Sequence, residues 1–269
     1  MKHFLIIILL LTSNVMNGQI KMDKELINSS RGNCIKIISK QGNSSGTGFF
    51  IGNDVLITCF HVIAKISVDS SNMINFNIYP DLEGINENGD TITLTCISIP
   101  TNSSPDPLFQ DFAVLKANRV IANQKIIPLC SELKLDISDI VLFSGYPLGT
   151  PAMVTHFGNI SGITKDSSII CIQASTNKGN SGGALINNDG KVIGIVSMRE
   201  GGISQGLQNY MNQINESEKH GSIQLMGIDP LQATKETISV LDTYISTGIG
   251  YARNIKFVDS YIKKMKIKI

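Results

Sequence analysis

Ser181 stands in Gly179-Asn180-Ser181-Gly182-Gly183, between the strand-like runs Ser168 to Ala174 and Ala184 to Ile186. Glycines on both sides of one serine permit a tight turn that holds the hydroxyl outward. They also admit backbone conformations closed to other residues, so that amides can converge on a developing oxyanion. The backbone of Gly179, Asn180 and Ser181 is the expected cradle, with the amides of Gly179 and Ser181 as its donors. Taken by itself, the pentapeptide could equally be an ordinary glycine turn.

A serine hydroxyl is a poor nucleophile without an adjacent base, so the chemistry requires an imidazole from elsewhere in the chain. The histidines are His3, His61, His156 and His220. His61 follows two apolar runs, Gly46 to Ile51 and Val55 to Phe60, joined by a Gly52-Asn53-Asp54 turn. It is expected where the second strand ends, a position that presents a ring at a rim, although a structural imidazole is the alternative. The far nitrogen of such a base needs a carboxylate to fix its tautomer and to stabilise the imidazolium formed during attack. Asp111 opens the apolar run Asp111-Phe112-Ala113-Val114-Leu115-Lys116, where an acid is partly buried and needs a partner. Asp106 in the same turn competes for the role, and a solvated turn acid is the plainer reading of either.

An activated thiol would also need a histidine. Cys59 and Cys171 lie inside apolar runs and read as core residues, and Cys96 shares an alternating face with Ile92 and Leu94. Five cysteines without a close pair signal neither a zinc ribbon nor a disulfide framework.

These residues need a scaffold. From residue 33 to about 200 the sequence alternates short apolar segments with Gly, Asn, Asp and Pro, the pattern of β-barrels and sandwiches. Candidate strands are Cys34 to Lys40, Thr47 to Ile51, Val55 to Cys59, Ile74 to Tyr79, Thr91 to Ile99, Phe112 to Lys116, Ile140 to Phe143, Ser168 to Ala174, Ala184 to Ile186 and Lys191 to Ser197. Beyond residue 200 the period becomes helical. Ile203, Leu207, Tyr210, Met211 and Ile214 form one stripe, and Ile238, Leu241, Tyr244 and Ile245 form a second in a helix entered through Asp229 and Pro230. Ile255, Val258, Ile262 and Met265 form a third.

A formal net charge of +1, with no long basic run, removes the footprint of a nucleic-acid binder. The closing lysines 263, 264, 266 and 268 read as the solvated end of a helix. Met1-Lys2-His3 followed by apolar Phe4 to Leu11 suits a secretory signal over residues 1–18, hence export to a periplasmic or secreted location. Eight apolar residues are too few for a stable membrane span.

The segments Thr58-Cys59-Phe60-His61-Val62, Asp111-Phe112-Ala113-Val114-Leu115 and Gly179-Asn180-Ser181-Gly182-Gly183, in that order, resemble trypsin-like serine proteases. Gly145-Tyr146-Pro147-Leu148-Gly149 and Thr247-Gly248-Ile249-Gly250-Tyr251-Ala252 are similar to further segments of the bacterial HtrA/Deg branch, and the likeness covers residues 33–200 and 247–265. The resemblance implies a mainly β, chymotrypsin-like fold of two six-stranded antiparallel β-barrels with a C-terminal helix. The first barrel spans about 30–118 and carries His61 and Asp111; the second spans about 119–200 and 247–253 and carries Ser181. A helical insertion falls at about 202–245 and the C-terminal helix at about 254–266. The likeness to that branch stops short of any PDZ domain, so regulation of that kind is not expected.

The activity implied is peptide-bond hydrolysis through an acyl-enzyme, with a polypeptide as substrate and no metal or cofactor. The specificity pocket is expected at Ser175, Thr176, Gly194 and Val196. Ser175 takes the position where an acid would select Arg or Lys; the pair Ser175-Thr176 also resembles glutamyl endopeptidases, but Val196 stands where their pocket histidine would be expected, so small or medium apolar residues are expected before the scissile bond. A protease-shaped scaffold that binds peptides but is latent or inactive is the main alternative.

Overall fold

The computed structural model describes residues 23–68, 74–100, 111–132, 134–199, 205–219, 221, 224–244 and 248–269. The expected leader and the competing Asp106 lie outside these residues. After helix α1 (Lys24–Asn33) come β1 (Cys34–Ser39), β2 (Ser44–Phe50), β3 (Val55–Thr58), a single turn α2 (Phe60–Ile63), β4 (Ala64–Val68), β5 (Ile74–Ile78), β6 (Glu83–Ile85), β7 (Thr91–Ser98) and β8 (Ala113–Ala117). The second half contributes β9 (Ile140–Gly145), β10 (Val154–Ile163), β11 (Ile169–Gln173), β12 (Ala184–Asn187), β13 (Val192–Arg199), α3 (Gln205–Glu218), α4 (Pro230–Tyr244), β14 (Ile249–Asn254) and α5 (Ile255–Met265).

Two closed antiparallel barrels of six strands result, ordered β1-β2-β3-β8-β7-β6 and β10-β11-β14-β13-β12-β9. Closure removes the edges that would otherwise invite pairing with another chain. Ile35, Ile37, Phe49, Leu56, Ile57, Val114 and Leu115 fill the first barrel; Val141, Phe143, Ile170, Ile172, Leu185 and Ile193 fill the second.

Some strands carry no period-2 signal. β10, with the pattern Val154-Thr-His-Phe-Gly-Asn-Ile-Ser-Gly-Ile, was not expected: it buries only Ile160 fully, and its register against β11 shifts between Ile160 and Gly162. β6 is three residues long. β5 does form, but it pairs with β4 in a separate hairpin rather than in a barrel.

The helical pair also departs from its apolar stripes. Pro230 does open α4, and the Asp229 side chain accepts from the amides of Leu231 and Gln232 at 2.9 and 3.2 Å, capping the first turn. Ile214 and Ile238 are buried, but Leu207, Tyr210 and Leu241 are exposed, and Ile203 and Ile245 lie outside the described residues. The two helices contact each other, with Lys235 of α4 ion-paired to Glu218 of α3, so a helical period marked the elements but not how much of each is covered. In α5, Ile255, Val258 and Ile262 are buried as expected and Met265 is exposed. Among the described residues no helix is long and apolar enough to cross a membrane.

Candidate active site

His61 reaches the surface because the chain breaks sooner than its hydropathy suggests. β3 ends at Thr58, Cys59 caps a one-turn helix, and His61 sits in that turn rather than at a strand end. Its neighbours face inward: Phe60, Val62 and Ile63 are all buried, and Phe60 packs edge-on to Phe76 of β5 at 5.2 Å. Burying a phenylalanine of this kind contributes about 1.5–3 kcal/mol, which fixes the turn and leaves the imidazole as its outward side chain, 39% exposed.

Asp111 meets it from the entrance to β8. The carboxylate is buried, and Oδ2 accepts from His61 Nδ1 at 2.9 Å and from the Ser197 hydroxyl at 2.6 Å. Oδ1 accepts from the His61 amide at 3.2 Å. Asp111 has φ of +27°, a conformation that a non-glycine residue rarely adopts, and the next residue shows what holds it there. Phe112 is buried and stacks edge-on to Tyr261 of α5 at 5.4 Å, while the Tyr261 hydroxyl donates to the Ile99 carbonyl at 2.7 Å. The C-terminal helix therefore clamps the backbone that aims Asp111.

Ser181 lies in the 179–183 turn of the second barrel, stitched to the first. The Thr47 amide of β2 donates to the Ser181 carbonyl at 2.8 Å, and the Thr47 hydroxyl donates to the Gly179 carbonyl at 2.7 Å. Two glycines are required here. Gly182 has φ of +93°, and a Cβ on it would fall 2.0 Å from the Thr47 carbonyl oxygen; Gly179 has φ of +96°, and its Cβ would fall 2.2 Å from the Tyr146 carbonyl oxygen. The Ser181 hydroxyl donates to the Ser197 carbonyl at 2.9 Å.

His61, Asp111, Gly179, Ser181, Val196 and Ser197 line one cleft of about 640 Å³ between the barrels. Burial opposes charge on both members of the His61–Asp111 pair, but their mutual hydrogen bond and attraction outweigh it. His61 titrates above its ordinary value and Asp111 below its own.

The sequence placed the oxyanion cradle at Gly179, Asn180 and Ser181. The Asn180 amide is taken by the Asn177 carbonyl at 3.1 Å, because the turn closes on itself there, so it is withdrawn from the cradle. Among the described residues the Gly179 and Ser181 amides have no backbone acceptor. Thr176 and Val196 line the cleft, whereas Ser175 and Gly194 do not: Ser175 is exposed, and Gly194 packs against the Arg253 carbonyl and Ala252. Ser197 and Arg253 line the cleft as well. Ser197 follows Val196 in the same strand, and its contact with Asp111 spans 86 positions, which no local pattern can reveal. Arg253 belongs to a strand without a polar signature.

Cys59 Sγ also lies within 4.8 Å of ligand atoms of His61 and Asp111. Burial pushes its thiol well above the ordinary value, it is directed at the Val196 carbonyl at 3.3 Å, and both Asp111 oxygens already accept hydrogen bonds. This donor set is committed to holding an imidazole, not a cation. All five cysteines are unpaired.

Two closed barrels, one bearing an imidazole–carboxylate pair and the other a glycine-cradled serine, define a double-barrel protein of the chymotrypsin-like class. The description "Trypsin-like peptidase domain" matches residues 46–195, more than half of the chain, and the chain belongs to that family. A "Serine protease HtrA-like" of Staphylococcus aureus strain USA300 is 31% identical over 127 residues, covering 41% of this chain and 16% of that protein; its counterpart in strain NCTC 8325 matches equally. The chain thus spans about a sixth of the length of the curated relatives it matches. Among solved structures, the serine endoprotease from Yersinia pestis aligns with a TM-score of 0.57 at 19% identity over 90% of this chain and 65% of its own. The Rv3671c protease in its inactive form aligns with a TM-score of 0.57 at 16% identity, over 90% and 93%. These two show the shared fold.

Proposed function

We propose that the protein is a serine endopeptidase in which Ser181 is the nucleophile, His61 the general base and Asp111 the residue that orients the base. The observation that carries this reading is the His61 Nδ1–Asp111 Oδ2 contact of 2.9 Å in the cleft that also holds Ser181. With Nδ1–H engaged, Nε2 is left as the acceptor that a base requires.

The Ser181 hydroxyl turns from the Ser197 carbonyl towards His61 Nε2 and gives up its proton as Oγ attacks a peptide carbonyl carbon. The oxyanion is met by the Gly179 and Ser181 amides, fixed by a turn that needs no rearrangement during reaction. The C–N bond breaks as His61 returns the proton to the leaving amine. Water then attacks the ester by the same route, restoring the serine. Every step uses side-chain and backbone groups of this chain. The leader-like residues 1–18 support action after export.

The resting contact of Ser181 with Ser197 favours a second reading, in which the enzyme is latent until the hydroxyl turns. Labelling by a fluorophosphonate probe separates the two. Prompt labelling of the wild type, absent in Ser181→Ala, with peptide cleavage lost in the same variant, is the expected result. Undiminished proteolysis by Ser181→Ala would end the proposal.

A further inference from the structure

Thr176, Val196, Ser197 and Arg253 line the same cleft as Ser181. Thr176 and Val196 are each 1% exposed, so this part of the wall is firm. Gly250 beneath it has room for no side chain, since a Cβ there would fall 2.4 Å from Thr176 Cγ2. In β14 the buried residues Gly250, Ala252 and Asn254 alternate with Tyr251 and Arg253, which face away from the barrel interior. β14 lies between β11 and β13, with Arg253 opposite Ile169 and Ile195, next to the pairing of Val196 with Ala252.

His61 and Asp111 hold each other, and Lys178 is ion-paired with Asp242 of α4. Arg253, a half-buried residue, lines the same cleft and adds a guanidinium to it. It also has an interaction of its own within the protein, so an incoming group shares it or replaces it.

We propose that Arg253 makes the pocket beside Ser181 selective for an acidic side chain on the residue whose carbonyl is attacked. This rests on the serine endopeptidase reading and deepens it. A guanidinium presents a planar fork that matches a carboxylate with two parallel hydrogen bonds, and the half-buried setting strengthens the attraction relative to water. A Lys or Arg side chain entering the same pocket meets like charge. An apolar side chain strips water from the guanidinium and returns no hydrogen bond. The apolar preference expected from Ser175 does not suit this pocket, because Ser175 lies outside it and Arg253 lies within.

The test compares kcat/KM for peptides that differ only in Glu or Gln before the scissile bond, a pair of equal size. The wild type is expected to favour Glu by at least about tenfold. Arg253→Gln is expected to bring the Glu/Gln ratio to about one, Arg253→Lys to retain part of it, and Arg253→Glu to shift preference towards Lys. A wild-type ratio near one, or a ratio that survives in Arg253→Gln, overturns the proposal. If Arg253→Gln fails to fold, judged by its thermal unfolding, the wild-type ratio and its change in Arg253→Lys decide. Fluorophosphonate labelling of wild-type Ser181 separates the two failures. Normal labelling without a Glu preference sinks the pocket alone, whereas no labelling and no cleavage sink the peptidase reading and the pocket with it.

Discussion

Ser197 links Asp111 to Ser181: its hydroxyl donates to Asp111 Oδ2 at 2.6 Å while its carbonyl accepts the Ser181 hydroxyl at 2.9 Å. One residue of β13 thus contacts both the carboxylate and the hydroxyl proposed to attack. Removing its hydroxyl leaves a buried carboxylate short of a charge-assisted hydrogen bond, a loss of about 1.5–3 kcal/mol. Ser197→Ala is therefore expected to lower kcat about tenfold or more with KM little changed. A change confined to KM would assign Ser197 to substrate binding instead.

Asp111→Asn keeps the shape of the acid but supplies an amide that can donate to His61 Nδ1, favouring the wrong tautomer. By analogy with the well-studied serine protease triad, kcat is expected to fall by about 10⁴. Urea unfolding should show a folded protein, and a residual rate within tenfold of wild type would remove Asp111 from the role.

The pH profile follows from the His61–Asp111 pair. The base must be neutral to accept a proton, and His61 is raised above 6.5, so kcat/KM should climb with pH through a value above 6.5. Stability runs the other way on this limb. The raised His61 contributes stability that is complete below 6.5 and fades as pH rises through its folded value. The lowered Asp111 contributes stability present above 3.8 and lost as pH falls through its folded value. A rate plateau already reached at pH 6 would contradict the raised imidazole.

Gly182→Ala tests the stitching of the barrels. The added methyl meets the Thr47 carbonyl and the Thr58 hydroxyl in a backbone conformation that alanine disfavours. A loss of about 2–4 kcal/mol is expected in denaturant unfolding, together with loss of activity. A variant as stable as wild type would show that the turn has room to move.

Cys59 separates serine from cysteine chemistry. Its thiol is buried and pushed up by burial, so iodoacetamide should leave the native enzyme active while a fluorophosphonate inactivates it. The opposite pattern would make Cys59 a reacting group.

Much of this site is legible in order and type. The glycine turn around Ser181, an acid at the head of an apolar strand and a histidine after one are local features, set by backbone sterics and burial within a few residues. The same holds for the strands whose faces alternate, such as Thr91–Ser98, and for Pro230 at a helix start. Boundaries were less readable. Cys59 reads as strand yet caps a turn, because tertiary packing of Phe60 on Phe76 outweighs local preference.

What only the folded chain decides is which distant groups meet. Ser197 reaches Asp111, Arg253 reaches the cleft, Asn180 spends its amide on Asn177, and β10 pairs without an alternating pattern. Each of these depends on two barrels closing and docking. A sequence pattern records which face of a segment avoids water; it does not record what that face, or the opposite one, is placed against.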